Sequence, residues 1–304
     1  MLSYVIICTD WHRGAGRGRV AVGREEETVM NVENVKPTIG SIVHIERPAL
    51  FSDETAQRCL ELLEERQVLV FPRINLSDSE QLAFTDKLGA RVNFTNRVPG
   101  GDKASKDVYT ITLDPKINTE PEYVLGTYFW HMDGITVPIP PPKASVLSAR
   151  RVAAKGGQTE FASTYAAYQA LPAEEKAELE GLRVMHSVTA AVREVATPES
   201  LDPYRRELRQ EQPLVWTRKS GRKSLIIGYT ADYVVNMPKA DGRALLARLL
   251  EWTAQPAFTY RHYWQEGDLV VWDNCGALHR VIPYAADSGR TMHRTSVAGI
   301  EAVA

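Results

Sequence analysis

The feature that most limits what this chain can fold into is a succession of short apolar runs of strand length across its second half. Ala144-Ser145-Val146-Leu147-Ser148, Arg183-Val184-Met185-His186, Leu225-Ile226-Ile227, Thr259-Tyr260-Arg261-His262-Tyr263, Leu269-Val270-Val271-Trp272 and His293 to Val297 all read as strands. Helical spacing intervenes, notably over Glu174 to Glu180 and Ala240 to Thr253. There is no internal repeat and no strand followed by a glycine-rich nucleotide loop. Many short strands with a few inserted helices predict an α+β chain with a mainly β core, a sandwich or barrel with flanking helices.

The first half adds further elements. Ser41-Ile42-Val43-His44-Ile45 reads as a strand, and Ser52-Asp53-Glu54 offers caps for a helix with Ala56, Cys59, Leu60 and Leu63 on one face. Val68-Leu69-Val70-Phe71 suits a buried strand closed by Pro72, and a second helix is expected from Ser77 or Ser79 through Leu82, Phe84 and Leu88 to Gly89. Residues 92 to 128 are loop-rich, with a turn at Pro99-Gly100-Gly101-Asp102, a strand at Val108 to Thr112 and an irregular stretch from Pro115 to Pro121. Loops of that length in a compact domain often border a site.

Composition narrows the function. A chain of 304 residues buries a core without needing disulfides or a metal. Lys plus Arg number 36 against 38 for Asp plus Glu, a net charge of -2 that gives no reason to expect nucleic acid or a membrane as partner. Cys8, Cys59 and Cys275 are far apart with no Cys-x-x-Cys pair, so a disulfide framework is not indicated and the cytoplasm is the natural setting. No apolar run approaches the roughly 18 residues of a spanning helix. Residues 11 to 29, with Gly14, Gly16, Gly18, Gly23 and then Glu25-Glu26-Glu27, lack periodicity and read either as a leader ahead of a start at Met30 or as a flexible arm. The expected organisation is a flexible leader over residues 1–36 and a single domain over 37–304.

Chemistry concentrates in Phe129-Trp130-His131-Met132-Asp133-Gly134. On a strand, alternate side chains share a face, so His131 and Asp133 can reach one point. A His-x-Asp pair alone is more often a surface hydrogen bond than a pair of metal ligands, and a third donor must come from elsewhere. His279, just beyond the apolar strand that runs into Trp272-Asp273-Asn274, is the obvious one. Two imidazoles and one carboxylate leave open positions on an octahedral iron(II), as in non-heme iron oxygenases. Arg290 and Arg294 follow, and a returning strand can aim both guanidinium groups into the cavity, where the planar fork of Arg suits a dicarboxylate. Two solvated surface arginines are the plainer reading of the same pair. His293, of opposite parity, faces away from the cavity, and His186 and His262 read as core or surface residues.

Four ordered blocks carry a resemblance: Trp130-His131-Met132-Asp133, Gly156-Gly157-Gln158-Thr159-Glu160-Phe161, Trp272-Asp273-Asn274 with His279, and Arg290 to Arg294. Over roughly residues 38 to 298 the chain resembles the taurine and 2,4-dichlorophenoxyacetate dioxygenase family. The resemblance implies a double-stranded β-helix (jelly-roll) fold and a catalytic domain that uses iron(II), 2-oxoglutarate as cosubstrate and molecular oxygen. It implies that His131, Asp133 and His279 hold iron, and that 2-oxoglutarate chelates it through its 1-carboxylate and keto oxygen. Arg290, helped by the hydroxyl of Thr159, is implied to bind the far carboxylate. Arg294 matches a position that members with acidic substrates use to hold the substrate's anion. In the family pattern oxygen attacks the keto carbon, carbon dioxide leaves, succinate forms, and a substrate hydrogen is removed before hydroxyl rebound. Where the hydroxylated carbon carries an ether or ester oxygen, the product falls apart and the net result is cleavage. Asp133 argues against halogenation, which needs that ligand position vacated for halide.

The departures bear on substrate. Leu88-Gly89-Ala90-Arg91-Val92-Asn93-Phe94 lacks the His that taurine-type members place there, so a taurine-like sulfonate fits less well. Phe94 and Trp130, with Tyr128 and Phe129, suit an apolar or aromatic substrate body, although core packing is the simpler account of each. Thr217-Arg218-Lys219-Ser220-Gly221-Arg222 replaces the Thr-His-Pro turn of many members and is expected to alter the substrate mouth.

The leading expectation is a dioxygenase that hydroxylates, and where the chemistry allows thereby cleaves, a small anionic organic substrate such as an aryloxyalkanoate. The resemblance is compatible with a homo-oligomer. The alternatives are a dioxygenase acting on a neutral natural product, with Arg294 structural, and a non-catalytic ligand-binding protein of the same fold. A serine hydrolase is set aside, because no Gly-x-Ser-x-Gly elbow is present.

Overall fold

In the computed structural model, which describes residues 30–92 and 108–303, the apolar runs assemble into sheets that face one another. Phe94, the turn at Pro99 to Asp102 and residues 1–29 lie outside the described residues. Asn31–Asn34 (β1) pairs antiparallel with Ser41–His44 (β2), so ordered structure already begins inside the segment expected to be a leader to residue 36. The ladder to β2 satisfies its backbone, a tertiary contact that composition does not display.

Asp53–Arg66 forms α1, opened by Ser52, whose hydroxyl accepts the Thr55 backbone N–H. Ala56, Cys59 and Leu63 are buried as spaced, but Leu62 rather than Leu60 completes the apolar stripe. Gln67, at φ 59°, turns the chain into β3 (Val68–Phe71). Asp78–Leu88 forms α2, and Ser77 with Glu80 makes a reciprocal capping box that fixes its start. Phe84 and Leu88 are buried, whereas Leu82 is half-buried.

The remaining elements follow in order. They are β4 (Tyr109–Thr112), α3 (Pro121–Gly126), β5 (Ala144–Arg151), β6 (Thr159–Ser163), α4 (Thr164–Ala170), α5 (Ala173–Leu179), β7 (Arg183–Ser187), α6 (Val188–Val192) and α7 (Pro203–Arg206). Then come β8 (Arg209–Pro213), β9 (Val215–Thr217), β10 (Lys223–Leu225), β11 (Ala231–Val234), α8 (Lys239–Thr253), β12 (Thr259–His262), β13 (Leu269–Asp273), β14 (Ala277–Val281) and β15 (Thr291–Val297). The strand expected over 225–227 ends at Leu225, and Ile226 and Ile227 are buried beyond it. Among the described residues no helix is long and apolar enough to cross a membrane.

The large sheet has the order β1-β2-β3-β13-β5-β15-β4, and β12-β6-β14 forms the smaller one that faces it. Pairing is antiparallel except between β2 and β3. Register sorts the side chains. Val271, Val146 and Val297 point outward onto α1 and α2, while Val270, Leu147, Trp272 and Met292 point inward onto Phe161 of β6. Each buried aliphatic or aromatic side chain contributes about 1.5–3 kcal/mol. Two apolar layers on either side of one sheet, with a second sheet closing the inner layer, form the expected jelly roll. Gln81 fastens α2 to the outer face by donating to the carbonyls of Val146 (3.1 Å) and His293 (3.0 Å). The His293 ring points outward to Asp78, 2.7 Å away, as its parity predicts. His186 and His262 are core residues, bonded to Thr230 (2.8 Å) and Asp268 (3.0 Å).

Candidate active site

His131 and His279 meet through the backbone rather than along one strand. Each donates its N–H to the other's carbonyl at 3.0 Å, an isolated antiparallel bridge at the β14 end of the small sheet. Directly opposed residues project to the same face, and the two imidazole centroids are 4.1 Å apart. The strand alternation expected for His131 and Asp133 is not what joins them, because the chain turns at Asp133. Gly134, at φ +74°, permits that turn; a Cβ there would lie 2.6 Å from Pro142. The turn brings Asp133 back toward the imidazoles, and one donor atom from each of His131, Asp133 and His279 falls within 4.8 Å of the others.

Electrostatics suit the set to a cation. Burial pushes the His131 pKa down, and it pushes that of His279 well down with help from the neighbouring imidazole, so both rings are neutral. The His131 Nδ1–H donates to the Phe129 carbonyl at 2.8 Å, which leaves Nε2 as the free nitrogen. Burial would raise the Asp133 pKa, but the Arg294 guanidinium beside it and the donating Ser145 hydroxyl outweigh it and hold the carboxyl below its usual range. The Asp133 carboxylate lies 3.8 Å from His279 Nε2, a separation that two ligands of one ion can span, and His279 Nδ1 is buried without a partner among the described residues. Two neutral nitrogens and one ionised oxygen form a donor set that fits iron(II).

Ser145 and Asn274 support the carboxylate. Ser145 Oγ donates to Asp133 at 2.8 Å and accepts from Asn274 Nδ2 at 2.9 Å, while Trp272 Nε1 donates to Asn274 Oδ1 at 2.8 Å. Sequence reasoning assigned Ser145 no part; its inward parity on β5, opposite Trp272 of β13, was the available signal.

Arg290 and Thr159 lie where the small sheet meets β15. Thr159 pairs with Val281 and Phe161 with His279, so Thr159 faces the same side as His279, one strand repeat along. Its hydroxyl accepts from Trp264 Nε1 at 2.9 Å. Arg290 is 3% exposed, donates to the Gly157 carbonyl at 3.2 Å and lies 4.8 Å from the Tyr284 ring. Among the described residues no carboxylate pairs with it, and burial pushes its pKa down. An uncompensated buried guanidinium calls for an anion.

Arg294 lies within 3.3 Å of Asp133 Oδ1 and lines a cavity of about 220 Å³ together with His131 and Asp133. Its walls are mostly apolar, from Tyr109, Ile111, Val137, Val188 and Leu208, and sequence reasoning missed a further lining residue, Arg205. Trp130, expected to contact substrate, does not line this cavity. It stands opposite Arg280 across the His131–His279 bridge, 4.7 Å from that guanidinium, and is turned into the core because neighbours of an inward residue point the other way. Thr217 to Arg222 also lies elsewhere. Arg218 bonds Tyr165 (2.8 Å) and Glu301 (3.0 Å), so the altered loop anchors the C-terminal segment instead of shaping the mouth.

Jelly-roll enzymes that combine iron(II) with 2-oxoglutarate and oxygen are the class for which this fold and donor set are built, and the protein is such a dioxygenase. More particularly, the chain belongs to the taurine catabolism dioxygenase TauD, TfdA family, whose model matches residues 31–296. It is 37% identical over 261 residues, 82% of this chain and 90% of the relative, to the alpha-ketoglutarate-dependent 2,4-dichlorophenoxyacetate dioxygenase of Cupriavidus pinatubonensis. It is 31% identical over 250 residues, 77% of this chain and 83% of the relative, to the (S)-phenoxypropionate/alpha-ketoglutarate-dioxygenase of Sphingobium herbicidovorans. The solved structure of AAD-2 in complex with Mn(II) and N-oxalylglycine matches with a TM-score of 0.78 at 31% identity, covering 91% of this chain and 100% of that one.

Proposed function

We propose that this dioxygenase hydroxylates a small aromatic carboxylate of the aryloxyalkanoate class, with His131, Asp133 and His279 as its iron ligands and Arg290 with Thr159 as the seat of the far carboxylate of 2-oxoglutarate. The observation that carries the reading is the buried Arg290, without a carboxylate partner among the described residues, beside a triad of two imidazoles and a carboxylate. Iron(II) bound there supplies oxygen activation coupled to the oxidative decarboxylation of 2-oxoglutarate. The chain's own residues do the rest. Arg290 and the Thr159 hydroxyl, which keeps its proton to donate while accepting from Trp264, fix the orientation of the cosubstrate. The ionised Asp133 offsets charge on the metal, and Ser145 holds it in place. Apolar walls at Tyr109, Ile111 and Val188 hold an aryl body and exclude water. Hydroxylation of a carbon that bears an aryl ether oxygen would give an unstable product and release a phenol. The names of the Cupriavidus and Sphingobium relatives support this substrate class. A cytoplasmic setting is part of the proposal, since the buried Cys59 and Cys275 are free thiols of the kind reducing compartments preserve.

The test is anaerobic. Iron(II) followed by 2-oxoglutarate should give the visible charge-transfer band of a chelated keto acid, and Arg290→Ala should weaken cosubstrate binding roughly 10- to 100-fold while retaining iron. With oxygen, phenoxyacetate should drive release of succinate and phenol in equal amounts. Folded, iron-loaded protein that shows no band would overturn the reading.

A further inference from the structure

We infer that Arg205 is a further residue that reads the anionic group of the substrate; the inference deepens the dioxygenase reading above and rests on it. Arg294 reaches the two oxygens of Asp133 at 3.3 Å and 3.5 Å, at the triad end of the cavity. Arg205 is differently placed. It lines the same cavity as His131 and Asp133, yet is 8% exposed, and its Nη1 is buried with no hydrogen-bond partner among the described residues.

The guanidinium is held ready. It lies 3.5 Å from the centre of the Tyr123 ring, which fixes its plane, and α7, which carries it, is set by Asp202 accepting the Tyr204 N–H at 2.9 Å. Its carboxylate neighbour, Glu120, is 3.5 Å from Nη2 and 35% exposed in its side chain, a long contact from the solvent side. Nη1 is therefore left without an acceptor, in a cavity whose other walls are largely apolar. A buried N–H of a cation without an acceptor costs free energy that a ligand carboxylate would recover, and a planar fork takes a carboxylate through two parallel bonds. The substrate class that fits is an amphipathic anion, with its aromatic body against Ile111, Val188 and Leu208 and its carboxylate on Arg205.

The experiment measures binding, not turnover, in protein loaded with Mn(II) and N-oxalylglycine. Calorimetry compares phenoxyacetate and 4-phenoxybutyrate with their neutral amides. Wild type should bind at least one acid about tenfold more tightly than its amide. Arg205→Gln should lose most of that preference, with N-oxalylglycine affinity unchanged. Preference kept in full in Arg205→Gln would overturn the inference, as would wild type that binds N-oxalylglycine but neither acid. Wild type that fails to bind N-oxalylglycine counts instead against the dioxygenase reading. Should Arg205→Gln not fold, Glu120→Gln decides. Removing a competing carboxylate should tighten the preferred acid about threefold, whereas a purely structural Arg205–Glu120 clamp predicts no tightening.

Discussion

Asp133 keeps its charge inside a buried site because Arg294 and the Ser145 hydroxyl meet it, and of these Ser145 is the contact more easily removed alone. Ser145→Ala deletes one charge-assisted hydrogen bond to the carboxylate and leaves Asn274 without its acceptor, a loss of about 1.5–3 kcal/mol at the site. We expect Mn(II) affinity to fall roughly 10- to 100-fold and the thermal midpoint to drop by several degrees. Metal titration followed by competition with a chelator measures it, and unchanged affinity would show that Asp133 is positioned without the hydroxyl. The three candidate ligands were legible in the sequence through the ordered blocks that carry the family resemblance, since a His-x-Asp pair alone is more often a surface hydrogen bond. Ser145 was not, since a serine in a strand reads as ordinary alternation. Trp130 was misread for a related reason. Its direction follows from the bridge between His131 and His279, a long-range pairing that no local pattern encodes.

At the scale of elements, the turn Gly156-Gly157 ahead of β6 packs against Arg290, the proposed cosubstrate seat. Gly157 sits at φ +77°, and a Cβ there would come within 3.0 Å of Arg290 Nε and 3.1 Å of its Cδ. Gly181, at φ +85° with nothing within 4 Å, shares the backbone strain but not the contact. Gly157→Ala and Gly181→Ala should each lose about 1 kcal/mol of stability. Only Gly157→Ala should also weaken 2-oxoglutarate binding, about tenfold, by displacing the guanidinium. Equal cosubstrate affinity in the two variants would remove Gly157 from the argument. Among the strands that were read, β3, β5 and β13 are buried on both faces and announce themselves as apolar runs. β6 and β14 did not, although they carry Thr159 and His279. Their outward positions hold Glu160 and Arg280, opposed in register and joined at 2.6 Å, so charge interrupts the apolar run that marks a strand. β1 escaped notice because its burial is slight and only its ladder to β2 defines it.

The molecule as a whole carries its acid sensitivity partly in a residue remote from the triad's carboxylate chemistry. His186 is fully buried in β7 of the third sheet, β11-β7-β8, where its Nδ1 meets the Thr230 hydroxyl at 2.8 Å. Burial lowers its pKa from 6.5 to about 4. In the unfolded chain the imidazole returns to about 6.5. Between these values the unfolded state binds a proton that the native state refuses, so unfolding free energy rises with pH. The stability associated with a neutral His186 is fully present above pH 6.5, falls as pH drops through the window, and is lost by pH 4. By pH 4.5 the loss from this group is about 2–3 kcal/mol, a sizeable share of the stability of a typical domain. Other groups titrate in the same range, so a difference between two proteins is the informative quantity. His186→Gln keeps a polar partner for Thr230 and removes the titration; it should be the less stable protein at pH 7. The gap in urea unfolding free energy should then narrow by about 2–3 kcal/mol between pH 7 and pH 4.5. A gap that stays constant across that range would mean that His186 is not buried as a neutral ring in the native fold.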